Sequence, residues 1–270
     1  MQISVNNFSK YVYLRSLQEA AREQNLTGLA RKLEHIVPDI SEQYSTFKLD
    51  NEYLRTKVRN VHAFQMSLVA EVAEEFKNMV IVDIGDSSGT HLQYLSGLYE
   101  KNIKCLSVNL DPKAVEKIRN KGLEAVLARA ENLSDYDINP DIFLCFETLE
   151  HLMDPFHFLH ELSSKTSAKY MIITVPYVRK SRIGLHHIRQ GREDGVNAEN
   201  THIFELDPED WKLLMRHSGW EIVREKIYLQ YPIWSILYLT KSMWRKYDFE
   251  GFYGVILKRD DNWSKRYLDW

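Results

Sequence analysis

No apolar run in the 270-residue sequence approaches the roughly 20 residues that cross a bilayer. The N-terminus, MQISVNNFSK, lacks the charged and apolar regions of a signal peptide, so a cytoplasmic protein is expected. Cysteine is scarce. Only Cys105 and Cys145 occur, both in apolar runs, which excludes a disulfide framework and a cysteine-built zinc site and leaves two buried thiols. Glycine (11) and proline (7) are few, and there is no internal repeat or low-complexity tract. Neither sign of charge dominates: the formal net charge is -3, so nothing global asks for nucleic acid or an anionic membrane. What is present is an ordinary globular composition, 44% hydrophobic and 27% charged, sufficient for one large domain or one domain with an extension.

The first 75 residues read as helical and carry no obvious chemistry. Tyr11, Leu14, Leu17 and Ala21 recur at helical spacing, and Leu29, Leu33 and Ile36 do so after an expected break at Gly28. Pro38 ends that block, and Asp50 is the expected cap of a longer helix with Leu54, Val58, Val61, Leu68 and Val72 along one side. From residue 76 the pattern alternates. Strands are expected at Val80–Ile84, Cys105–Leu110, Leu123–Leu127, Asp141–Phe146 and Tyr170–Val175, with helices between most of them. Such alternation implies right-handed βαβ units, a parallel sheet, and a ligand at the carboxyl ends of its strands. Residues 177–203 form a long polar loop, Asp207–Ser218 a helix, and Glu221–Leu229 and Phe252–Lys258 two late strands. The expected domains are therefore 1–75, a helical extension or lid, and 76–270, the α/β body.

The stretch VIVDIGDSSGTHL joins the first of these strands to a helix. Gly85 and Gly89 allow a tight turn and a close approach of backbone to a ligand, and Asn109 follows Gly89 at the distance where a polar group meets a ribose in nucleotide-binding folds. A dinucleotide dehydrogenase would have G-x-G-x-x-G, which G-D-S-S-G-T does not supply.

Four ordered motifs over about 76–258 resemble the class I S-adenosylmethionine-dependent methyltransferases. Asp83-Ile-Gly85-Asp86-Ser87-Ser-Gly89 matches their D-x-G-x-G-x-G with Ser87 for the middle glycine. CFETLEHLMDP (145–155), TVP (174–176) and HIFELDPEDWKLLMRHSGWEIV (202–223) follow in the family's order. The resemblance implies a Rossmann-like α/β fold: a seven-stranded, mostly parallel sheet with an antiparallel last strand, plus the helical N-terminal extension. It implies S-adenosylmethionine as cofactor. Asp83, Gly85 and Gly89, with Asp86 and Ser87 between them, would line its methionine and ribose end. Asn109 stands where an acid usually holds the ribose hydroxyls, with Leu110 and Asp111 beside it; Ala130 and Glu131 would lie near adenine, after Arg129 where an Asp is common; Phe146 would edge the cofactor.

Glu147, Glu150 and His151 follow the fourth strand, where the family's methyl acceptor enters. His151 is the candidate base, with Glu147 beside it. Two carboxylates and an imidazole on one helical turn also suit an oxygen-preferring divalent cation such as Mg. The stretch resembles E-x-x-E-H of the ubiquinone-pathway O-methyltransferases and of the small-RNA 2′-O-methyltransferases, where a downstream histidine completes a metal site. His202 stands where that histidine would fall, with His186 and His187 as competitors. Arg179, Arg182 and Arg189 could meet an anionic acceptor or simply form a wet surface. YPIWSILYLTKSMW (231–244) reads as a lid or insertion packed on the sheet, with weak membrane-surface contact as the other reading.

The expected activity is methyl transfer from S-adenosylmethionine to oxygen on a small molecule. The alternatives are an inactive scaffold that keeps the fold and an RNA 2′-O-methyltransferase. A neutral chain without a basic stripe argues against nucleic acid.

Overall fold

The computed structural model describes residues 7–44, 47–99, 103–136, 138–183, 201–247 and 249–266. Three helices come first: α1 (Asn7–Glu23), α2 (Thr27–Ile36) and α3 (Glu52–Ala73). Then follow β1 (Met79–Ile84), α4 (Thr90–Tyr99), β2 (Ile103–Asn109), α5 (Pro112–Asn120), β3 (Ala125–Leu127), β4 (Ile142–Phe146), α6 (Pro155–Lys165) and β5 (Tyr170–Pro176). A two-stranded ribbon, β6 (Arg182–Ile183) with β7 (Phe204–Glu205), leads to α7 (Pro208–His217), β8 (Trp220–Leu229), α8 (Lys241–Tyr247) and β9 (Gly251–Arg259).

The main sheet has the order β3-β2-β1-β4-β5-β9-β8. The first five strands are parallel, and β9 runs antiparallel to both β5 and β8. Strand order reverses between β1 and β4, so the crevice between their carboxyl ends is the expected ligand position. Strands β4 and β5 are buried along their whole length, as parallel strands covered on both faces must be. Side chains divide by the two-residue period. Ile81, Ile142, Leu144, Ile172 and Ile256 join a core with α2 and α3. Val82, Phe143, Cys145, Met171 and Leu257 join a second core with α6 and α7.

Helix α3 is held tightly against this sheet. A Cβ on Gly254 of β9 would meet Leu68 Cδ1 at 2.6 Å and Phe64 Cζ at 2.7 Å, so the helix approaches at a distance only glycine permits. Buried Val58, Val61, Leu68 and Val72 lie on its inward side as the spacing predicts, and Leu54 is half-buried.

Local details differ from the sequence reading at three places. The break after α1 falls at residues 24–26, not Gly28: Asn25 takes φ 59°, a left-handed conformation asparagine tolerates, while Gly28 lies within α2. The cap of α3 is Asn51, whose side chain accepts from Leu54 N at 3.0 Å; Asp50 instead accepts from the Asn51 amide. The 231–244 segment packs on α1 rather than on the sheet, with Trp244 buried against Tyr13, Leu17 and Tyr231. Cys145 is buried and Cys105 half-buried. Among the described residues no helix is long and apolar enough to cross a membrane.

Candidate active site

A cavity of about 700 Å³ opens at the carboxyl ends of β1, β2 and β4, within the roughly 300–1,000 Å³ of small-molecule sites. Its floor is the turn after β1. Gly85 has φ +98°, and a Cβ there would meet Thr148 Oγ1 at 2.2 Å, so glycine is required by conformation and by space. Gly89 has φ +74° and packs toward Leu123 and Ile118 rather than into the cavity. A side chain there would collide with α5 and the loop that follows it.

The Asp86 carboxylate already occupies two N–H groups at the helix start behind this turn. Asp86 Oδ1 accepts from Ser88 N at 3.2 Å and its Oδ2 from His91 N at 3.0 Å. A nucleotide phosphate needs those N–H groups and would face the Asp86 carboxylate. The turn therefore suits a nucleoside without phosphates.

The end of β2 closes one side. Asn109 Nδ2 donates to Asp86 O at 3.2 Å and its Oδ1 accepts from Asp111 N at 2.8 Å; Asp111 caps α5 through Lys113 N at 3.0 Å. Gly85, Asp86, Ser87, Asn109, Leu110, Asp111, Ala130 and Phe146 all line the cavity, as do Glu147, Glu150, His151 and His202. The Glu131 side chain lies outside the described structure.

Asp83 does not line the cavity. It is fully buried, and its Oδ2 accepts from Nδ1 of His91 at 3.0 Å. Burial pushes the Asp83 carboxyl up, and the facing His91 pulls it back. Burial works against charge on His91 as well, yet Asp83 and Asp86 together carry that imidazole up to about 9. The pair thus sets an imidazolium against a carboxylate at neutral pH. His91 Nε2 is buried without a protein partner, and the ring lines the cavity.

Helix α3 supplies polar groups that the sequence reading missed. Arg59 donates to Tyr94 Oη, whose hydroxyl in turn faces Nδ1 of His62 at 3.3 Å. Burial, helped by His91 and Arg59, holds His62 well below its usual range, so it is neutral. With Tyr94 donating to Nδ1, the proton of His62 sits on Nε2. The His62 and His91 rings meet edge to face at 4.9 Å. Gln65 Nε2 donates to Thr174 Oγ1 at 3.0 Å, and its Oε1 is buried without a partner. His62, Gln65 and Lys57 all line the cavity. The available signal was four polar residues, Arg59, Asn60, His62 and Gln65, within a stretch of helix otherwise apolar.

At the other end lies the E-T-L-E-H stretch. Glu147 follows β4 at φ 49°, outside the 3₁₀ turn at Leu149–His151, so Glu147, Glu150 and His151 do not share one helical turn. Glu150 is fully buried and neither carboxylate oxygen has a hydrogen-bond partner. Burial, reinforced by Glu147 and Glu205, pushes its carboxyl well above the usual range. His151 Nδ1 donates to Thr201 O at 3.0 Å. His202 packs edge-on against His151 at 4.6 Å and stacks on Phe249 at 5.3 Å, with its Nδ1 3.1 Å from Glu205. Burial works to raise Glu205, but bonds from His202 and Arg182 hold it below the ordinary range. Glu150, His151 and His202 each offer a ligand atom within 4.8 Å of the others; Glu147 is outside that group. Arg179 pairs with Glu250 and Arg182 with Glu205, so neither faces the cavity; His186, His187 and Arg189 lie outside the described residues.

A family model described as a methyltransferase domain matches residues 53–225. A comparison with curated proteins finds no match. Among solved structures, a Galdieria sulphuraria protein assigned as a sarcosine dimethylglycine methyltransferase superposes with a TM-score of 0.56 at 13% identity, over 86% of this chain and 98% of that one. The [4+2]-cyclase SpnF gives 0.54 at 13% over 90% and 97%, and an S-adenosylmethionine-dependent methyltransferase of Mesorhizobium loti gives 0.53 at 12% over 72% and 97%. At such identities the superpositions speak for the fold alone, and a cyclase among them shows how far chemistry diverges on it. The match to the family model spans more than half of the chain, in the order and sheet topology expected from the motifs. The chain belongs to the methyltransferase-domain family, and so to the class I S-adenosylmethionine-dependent methyltransferases.

Proposed function

We propose that the cavity holds S-adenosylmethionine with its adenosine along Asn109–Asp111 and Ala128–Ala130, and that the methyl group passes to oxygen on a small molecule. The methionine end lies against Gly85, His62, Gln65 and His91. The helices before residue 75 cover that end, since His62, Gln65 and Lys57 of α3 line the same cavity. The acceptor lies toward His151, His202 and Phe249, among apolar side chains such as Leu54, Leu152 and Phe252.

The observation that carries the oxygen reading is the anchoring of His151. With Nδ1 donating to Thr201 O, the neutral ring holds its lone pair on Nε2. An acceptor hydroxyl attacks the methyl carbon in line with the carbon–sulfur bond. That bond breaks, sulfur leaves as a neutral thioether, and the hydroxyl proton goes to His151 Nε2. The sulfonium is already activated, so alignment and proton removal are what the protein must supply.

The test is His151→Ala. Turnover with a labelled methyl donor should fall by roughly 10²–10⁴ while donor affinity by calorimetry stays within about twofold. Undiminished turnover would overturn the role of His151. The acceptor itself is found by screening metabolite extracts for species that gain the label.

A second reading puts a divalent cation at Glu150, His151 and His202 in place of the His151 base, because with Nδ1 donating to Thr201 O the ion would take the Nε2 lone pair. Glu150 favours it: a buried carboxylate with no hydrogen-bond partner is the kind of group a cation satisfies. Such an ion would polarise the acceptor oxygen. Turnover unchanged by a chelator would remove this reading and leave His151 as the base.

A further inference from the structure

The segment 231–246, YPIWSILYLTKSMWRK, contains three cations and no acid. Its underside is firmly attached. Glu23 accepts from the backbone N–H groups of Ile233 at 2.5 Å and Trp234 at 3.0 Å. Ser235 Oγ accepts from Leu237 N at 3.2 Å, the Ser16 and Thr240 hydroxyls meet at 2.8 Å, and Trp244 packs edge-on against Tyr13 at 4.6 Å. The opposite side is bare: Trp234 is 86%, Ile236 83% and Leu239 72% exposed. Isolated exposed apolar residues are ordinary, but several large ones on one rigidly seated stretch are not.

Beside Leu239 lies a shallow depression of about 470 Å³ lined by Tyr238, Leu239, Lys241, Ser242, Arg245 and Lys246, with no acid among them. Lys241 rests over the Tyr238 ring at 4.5 Å, and Arg245 also reaches Glu250 below it. Apolar side chains thus stand next to a shallow basic hollow.

We propose that this surface docks on an anionic phospholipid bilayer. Trp234, Ile236 and Leu239 enter the boundary between headgroups and acyl chains, and lipid phosphates settle against Lys241, Arg245 and Lys246. Charge complementarity selects this occupant: bulky apolar tips flanked by cations are the make-up of interfacial membrane segments. A second copy of the chain meeting face to face would oppose the same cations to each other. Nothing in the cavity is required for this docking, since none of these residues lines it.

The experiment is co-sedimentation of the full chain with phosphatidylcholine vesicles, with and without phosphatidylserine, at low and high salt. The expected result is binding that requires phosphatidylserine and weakens with salt. The Trp234→Ala/Ile236→Ser/Leu239→Ser variant should reduce partitioning roughly tenfold or more. Lys241→Gln/Lys246→Gln should remove the preference for phosphatidylserine. Trp234→Ala alone, at so exposed a site, keeps the test valid if the triple variant unfolds. Absence of vesicle binding by the wild-type chain overturns the proposal, and so does equal binding by the variants. Concentration-dependent self-association lost in the triple variant, without vesicle binding, overturns it in favour of a second copy.

Discussion

Asp83 Oδ2 lies 3.0 Å from Nδ1 of His91, so the acid that opens the glycine motif is held inside the protein by a base from the next helix. What reaches the cavity is the histidine. His91 therefore stands at the methionine end of the proposed donor position, where its cationic ring suits a carboxylate better than an ammonium.

His91→Gln should weaken S-adenosylhomocysteine binding by about tenfold, the worth of one lost charge-assisted contact. Binding of 5′-methylthioadenosine, which lacks the amino-acid end, should change little. Calorimetry with both ligands separates a local contact from general damage, which would weaken both.

The same pair predicts a pH signature. The folded-state value of His91 is raised from 6.5 to about 9. Its stabilising contribution is therefore complete below pH 6.5 and is lost as pH climbs through 9. The melting temperature of the wild-type protein should decline across that interval, and His91→Gln should flatten the decline. Scanning calorimetry from pH 6 to 10 is the check.

Glu150 has the opposite consequence for substitution. Its raised carboxyl means that stability falls as pH rises above the unfolded-state value of 4.5, because the folded protein resists ionising it. Glu150→Gln should raise the melting temperature by several degrees at pH 8 and leave it unchanged near pH 4. If the cation reading holds, added Mg should stabilise the wild type at pH 8 and not the variant.

Gly85→Ala should cost about 1–3 kcal/mol, since the residue has φ +98° and the new methyl would collide with Thr148 Oγ1. Adding Thr148→Ala relieves the collision but not the backbone conformation, so the double variant should recover part of the loss in urea unfolding.

Asn51→Ala should destabilise by about 1 kcal/mol by removing the cap on Leu54 N, whereas Asp50→Ala should have a smaller effect. Matched urea titrations of the two variants distinguish the positions.

The α/β alternation was legible because each strand is a short apolar run ended by turn residues, and the motif order carried the sheet topology with it. Gly85 was legible for the same local reason. Asn25 and Gly28 were harder to separate, because both tolerate a break and only packing chooses. Asp83 reads as a ligand-facing acid until His91, eight residues on, is folded back against it. Glu150 owes its surroundings to Thr201, His202 and Glu205, some fifty residues away, which no local pattern connects. His62 and Gln65 were hidden by a helix that serves as core and cavity wall at once.

That double service of α3 bears on how ligands come and go. The helix cannot swing aside without prising Phe64 and Leu68 from Gly254 and exposing one whole side of the sheet. The stretch around Gln43 is fastened more lightly, by hydrogen bonds from Ser87 and Ser88 and one from Lys117 to the neighbouring Glu42 carbonyl. Parting those contacts would leave Phe64 and Leu68 seated on Gly254.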